Sequence, residues 1–205
     1  MNNEDYNIST SDSSEIQALP PAVERVIPAL RRAGQLSFWV QIILGVVAAL
    51  IFLFTIPIAA SDEPGAAQIN PGRGPGIFFA VTGLVALGIS IYWTLRYGQL
   101  AKRLGIADST LRPTRAETVR AIEIGSIVNL VGMLFNLLAA ETITGILLAK
   151  ALRSEGVAFS PAALNQLIQP IDIFVVLGNT HTLFAHFIGL TTSLWLLRWV
   201  VKSKS

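Results

Sequence analysis

Cysteine is absent from the 205 residues, which excludes a disulfide framework, a thiolate-held zinc or iron–sulfur centre and a cysteine nucleophile. Charge is scarce. Only 14% of residues are charged and 52% are hydrophobic, with a mean hydropathy of +0.58, whereas an ordinary soluble domain carries about 25% charged residues. Catalytic signatures are missing too: there is no HExxH, P-loop or G-x-S-x-G sequence. No enzyme, cofactor or nucleic-acid partner is expected. Lys and Arg are absent from the first 24 residues, which hold five acids (Glu4, Asp5, Asp12, Glu15, Glu24). Such a segment resembles neither a secretory signal nor an Arg-rich transit peptide. Residues 1–22 are expected to be a disordered acidic tail and residues 201–205 a basic one.

Four apolar runs are present: 36–60, 76–95, 124–149 and 173–197. Each is long enough to cross a hydrocarbon core of about 30 Å as helix. They are far longer than globular strands and lack the alternation of a membrane barrel. The expected fold is all-α, a four-helix transmembrane bundle within residues 23–200. Twelve Lys and Arg lie before the first run, between the second and third, or after the fourth, against three (Arg73, Lys150, Arg153) in the other two loops. The positive-inside rule then puts both termini and the central loop in the cytoplasm.

Val23, Val26, Ile27 and Leu30 follow helical spacing, which predicts a short helix on the membrane surface, limited by Pro28. Gly105 reads as a helix C-cap, and Thr114 with Glu117 as a capping box. These signals predict a basic cytoplasmic hairpin extending the second and third helices. Ser160 and Pro161 read as the start of a short interfacial helix, and the Gly- and Pro-rich loop 61–75 as an external connection. Trp39, Tyr92, Trp93, Tyr97, Trp195 and Trp199 are expected in an interfacial belt.

Polar residues inside the runs must face protein or water. Gly125, Asn129, Gly132, Asn136 and Ala139 make one small and polar face on the third helix; Asp172, Asn179, Thr182, His186, Gly189 and Ser193 form a matching line on the fourth. Two readings remain open for these faces, helix packing through small and hydrogen-bonding residues or the lining of a substrate path. His186 is either a buried hydrogen-bonded group or a metal or proton ligand. His181 lies about 140° away on the helical wheel, so the two histidines cannot share one ion from a straight helix. Glu141 is the costliest residue to place: protonation, a His partner or closeness to the outer interface would each accommodate it. His186, Asp172 and Glu141 are the candidate metal contributors.

The sequence resembles the four-helix family of the chloroplast inner envelope that is described both as a protein-import translocon subunit and as an iron permease, with cyanobacterial relatives. The carriers are FWVQ (Phe38 to Gln41), the spacing of Trp93, Tyr97, Leu100, Arg103 and Leu104, PTRAETVRA before the third helix, VNLVGM (Val128 to Met133), GILLAKAL (Gly145 to Leu152), HFIGL (His186 to Leu190) and SLWLLR (Ser193 to Arg198). The resemblance implies the same fold and a cyanobacterial protein of the plasma membrane, with the thylakoid as the alternative. It further implies a component of metal-ion transport with iron as cargo, or alternatively a non-transporting scaffold of a translocation or assembly complex. The bilayer and either further copies of the chain or other membrane-complex subunits are the expected partners.

Overall fold

The four apolar runs become four helices. In the computed structural model, which describes residues 21–61, 73–106, 108–154 and 168–202, they are α1 (Pro21–Ser61), α2 (Arg73–Leu104), α3 (Arg115–Ser154) and α4 (Pro170–Lys202). A single turn of 3-10 helix, Ser109–Leu111, lies between α2 and α3. Among the described residues there is no strand, and all four helices are long and apolar enough to cross a membrane. The chain is an all-α, multi-pass membrane protein. Residues 1–20, most of the loop between α1 and α2, and the helix expected from Ser160 lie outside the described residues.

Local chemistry sets the helix ends around the central loop. The Thr114 hydroxyl accepts from the Glu117 N–H at 3.2 Å while the Glu117 carboxylate accepts from the Thr114 N–H at 2.9 Å, the reciprocal pairing of a capping box. At the end of α2 the Gly105 N–H returns to the Lys102 carbonyl at 3.2 Å. Asp108 starts the 3-10 turn by accepting from the Thr110 hydroxyl at 2.7 Å and the Thr110 N–H at 2.8 Å. These two bonds, the hydroxyl first, hold its exposed carboxyl below the ordinary carboxylate range.

The separate surface helix expected at residues 23–30 does not exist as such. These residues are the first turns of α1, which continues through Pro28. Their apolar face is taken by protein rather than by lipid: Val26 and Leu30 are buried with Tyr97, Leu104, Ile122 and Leu196, and Val23 and Ile27 pack on the same cluster. At 1.5 Å per residue, the 41 residues of α1 and the 40 of α3 run about 60 Å, so both extend well beyond a hydrocarbon core.

Side-chain pairs give the topology. Moving along α1 from Gly34 through Gln41 to Gly45, the partners on α2 are Tyr97, Ser90 and Leu87 in descending order. The same reversal relates α2 to α3 (Gly76 with Ile143, Gly83 with Asn136, Ser90 with Asn129) and α3 to α4 (Asn129 with Gly189, Gly132 with His186, Lys150 with Asp172). Gly178 of α4 closes the ring on Ile51 and Phe52 of α1. The result is an up-down-up-down bundle in which sequence neighbours are spatial neighbours. One end is filled by the cluster around Leu30 and Tyr97, the other by Phe52, Ala80, Ala139 and Ile143. Between these apolar plugs the interior is polar.

Candidate functional site

Between its two apolar clusters the bundle is polar inside and apolar outside. Ser37, Gln41, Ser90, Thr94, Asn129 and His186 are each at most 3% exposed, while Leu36, Ile43, Leu53, Phe54 and Phe78 are each more than 55% exposed. Lipid tails are as apolar as leucine, so such helices gain little from burying apolar groups; packing and interhelical hydrogen bonds hold them together.

The centre of the network is Gln41. Its amide nitrogen lies 3.1 Å from the Ser90 hydroxyl of α2, 3.4 Å from Asn129 Oδ1 of α3 and 3.3 Å from the Ala185 carbonyl of α4, and its oxygen accepts from Thr94 at 3.1 Å. Asn129 donates to the carbonyl of Gly125 one turn back at 2.8 Å, which turns its oxygen outward from α3. That oxygen also accepts from Ser90 at 2.7 Å. Asn136, two turns further on, donates in the same way to the Gly132 carbonyl at 2.9 Å. Here the parallel ends, for the Asn136 oxygen is buried without a donor. The oxygen of Asn179 is equally buried and unpaired, although the Asn179 amide donates to the Asn136 backbone carbonyl at 3.0 Å.

His186 stands between these levels. Nδ1 is 3.2 Å from Asn129 Oδ1 and Nε2 is 3.1 Å from the Gly83 carbonyl. Both ring nitrogens therefore face oxygen acceptors. A neutral imidazole has a single N–H, so it hydrogen-bonds one of the two, and only a doubly protonated ring satisfies both. Gly132 admits the ring: a methyl group there would overlap it. At Gly189 a methyl group would collide with Gln41 and Asn129, and at Gly125 with the Tyr97 hydroxyl. Thr182 is buried and donates to the Gly178 carbonyl at 3.0 Å. Ser193 donates to the Gly189 carbonyl at 2.9 Å, so the Tyr97 hydroxyl, 2.9 Å from Ser193, is the donor in that pair.

The other two candidate metal contributors are elsewhere. Asp172 lies in the first turn of α4, where its carboxylate accepts from the Lys150 ammonium at 2.6 Å and from the Gln169 N–H at 3.0 Å. Glu141 is exposed on the outer surface of α3. Among the described residues, no three His, Asp or Glu side chains gather around a possible metal position. The small and polar faces of α3 and α4 do meet, through the contacts of Gly132, Asn136 and Asn129 with His186, Asn179 and Gly189.

Sequence reasoning missed Gln41, Ser90, Thr94, Gly83 and the Lys150 partnership. Gln41 is the one carboxamide in the first run, and Ser90 and Thr94 share a face at one-turn spacing; both signals were available. Tyr97 departs from the expected aromatic belt. It is 1% exposed in the core, whereas Trp39, Tyr92, Trp195 and Trp199 are 42–60% exposed. Its position seven residues before Leu104, on the buried side of α2, separates it from Tyr92 and Trp93.

A family model described as "Protein of unknown function (DUF3611)" matches residues 20–201. "Protein TIC 21, chloroplastic" of Arabidopsis thaliana is 31% identical over 200 residues, covering 95% of this chain. The chain spans 64% of that relative's length. No solved structure matches it. With nearly all of its bundle inside the matched segment, the chain belongs to the DUF3611 family.

Proposed function

We propose that the protein is a non-enzymatic component of transmembrane metal-ion transport, with iron as the cargo, and that the buried polar column handles the ion. The observation that carries this reading is the pair of carboxamide oxygens on Asn136 and Asn179, both buried and without donors. An acceptor buried without a donor costs about 1–3 kcal/mol. Oxygen and imidazole donors are ligands that divalent first-row metals accept. His186 is the imidazole of the same column. The resemblance to the envelope family supplies the cargo, and a bacterial plasma membrane, with the thylakoid as alternative, the location. The basic end of the bundle, including the α2–α3 hairpin, lies in the cytoplasm by the Lys and Arg asymmetry.

A scaffold role is the second reading. It is favoured by the ion pair that neutralises Asp172 and by the protein partners on both nitrogens of His186. Iron uptake into vesicles decides between them, using wild type, His186→Ala and the double variant Asn136→Leu/Asn179→Leu after equal insertion is confirmed. Transport predicts wild-type flux above that of empty vesicles and its loss in the double variant. Wild-type flux at the empty-vesicle level removes transport and leaves the scaffold; flux retained by His186→Ala removes only the role of that residue.

A further inference from the structure

Glu141 is exposed within the apolar run of α3. It is nine residues from Gly132 and nine from Lys150, the α3 residues that touch His186 and Asp172 of α4. Nine residues are two and a half turns, so Glu141 points away from the bundle. The run continues to Ala149, about 12 Å further along the helix. Helical side chains tilt toward the start of their helix, which leans the carboxyl deeper into the hydrocarbon. An ionisable group does not stay there on a lipid-facing surface unpartnered. Among the described residues, its carboxylate has neither a hydrogen bond nor an ion pair. The Thr144 hydroxyl, three residues on, donates to the Ala140 carbonyl at 2.7 Å and is no donor for it.

The rest of this outer face has the period of a helix contact. Leu138, Glu141, Gly145, Leu148 and Leu152 follow one another at intervals of three and four, the 3.5-residue repeat that keeps one line of residues against a neighbouring helix. The three leucines are 40–64% exposed. Gly145 is exposed too, and a methyl group added there would meet nothing within 4 Å, so the surface beside the carboxyl is open to close approach by a second backbone. Leu152 carries the line past Lys150 and out of the apolar run, where lipid tails no longer call for leucine.

We propose that a second copy of this chain packs on the outer face of α3 across a two-fold axis along the membrane normal, with the two Glu141 carboxyls meeting at the axis. Such an axis makes the contact isologous and keeps every residue at its own depth. The two α3 helices then run parallel, and a residue at the axis meets its own copy. Any other partner would need a polar group of its own at this level; a second copy supplies one by symmetry alone. Facing carboxyls hydrogen-bond to each other with one proton or two between them, and both forms remove the polar groups from lipid. A single polar position in an apolar seam fixes register and oligomeric state, and Glu141 has that place here. The inference stands whether or not the transport reading does.

The absence of cysteine makes the test direct. Glu141→Cys chains carrying two different tags are co-expressed and oxidised in native membranes, and a disulfide-linked species of twice the monomer mass bearing both tags is expected. Leu148→Cys, seven residues along the seam, should cross-link to itself in the same way. Val85→Cys on α2 and Phe184→Cys on α4, 61% and 51% exposed, should not. Glu141→Gln, whose carboxamides pair with each other across the axis, should retain the dimer in native mass spectrometry from lipid discs. Glu141→Leu should weaken the association about tenfold. A monomeric wild type overturns the proposal, as does cross-linking through Val85→Cys or Phe184→Cys without any through Glu141→Cys, or a Glu141→Leu chain that associates as tightly as wild type.

Discussion

Asn129 and Asn136 occupy equivalent places two turns apart on α3, each donating to the carbonyl of the residue four before it, yet only the first has an occupied side-chain oxygen. The difference comes from the neighbouring helices. At the Asn129 level α1 and α2 supply Gln41 and Ser90, whereas at the Asn136 level α2 supplies Gly83, which has no side chain to donate and leaves room for the carboxamide. At Gly132 an added side chain would meet the His186 ring itself. Ordinary overpacking costs about 1–3 kcal/mol, and Gly132→Leu, which must displace the His186 ring, should exceed that range and appear as a large loss of thermal stability in detergent. Leu134→Ala, at a position 54% exposed to lipid, should change it little; the reverse outcome would mean that the buried face is assigned wrongly. Asn129, Gly132, Asn136, Asn179, His186 and Gly189 were legible in the sequence because small and polar residues at helical spacing have to leave the lipid. Gln41 was legible too, as the one carboxamide of the first run; Tyr97 was not, because an aromatic near a helix end suits an interfacial belt as well as a core. Only the packing of the other three helices reveals which side of its own helix is inside.

The helices are tied at one end by the Lys150–Asp172 pair, whose side chains are only 9% and 13% exposed. Removing one partner of a buried ion pair costs about 3–5 kcal/mol because a charge remains without compensation, while replacing both by apolar residues is often close to neutral. Asp172→Asn alone should therefore destabilise α3 against α4, toward the lower figure given the position at the helix ends. Lys150→Met/Asp172→Leu should recover most of the loss, less the bond from the Gln169 N–H. Guanidinium-free thermal melts of the two single variants and the double variant measure this cycle; additive losses would show that the pair is not coupled. Spans, helix number and the capping box could be read from hydropathy and from Thr114 and Glu117, since both signals are local. The continuation of α1 to Pro21 could not. Val23, Val26, Ile27 and Leu30 have the same spacing whether lipid headgroups or a neighbouring helix covers them, and it is the far ends of α2 and α4 that provide the cover.

As a whole molecule, the bundle has a charge axis: Arg115 and the end of α4, joined by an Arg115 bond to the Val201 carbonyl at 3.1 Å, lie at the basic end, opposite Lys150 and Asp172. With that end cytoplasmic, single cysteines at Ser109 and Ser203 should resist an impermeant thiol reagent in intact cells, and those at Ser61 and Ser160 should react; labelling at Ser109 but not at Ser61 would invert the orientation. Gln41 has a further consequence, which concerns the order in which the protein is made. It belongs to the first helix to leave the ribosome, yet one of its acceptors, the Ala185 carbonyl, follows 144 residues later, an interval of about 7–30 s at ordinary rates of synthesis. Throughout that interval the carboxamide lacks its full set of native partners, and α1 cannot be left in open lipid without loss. Until the last helix arrives, Gln41 has only the partners on α2 and α3: Ser90, Thr94 and Asn129.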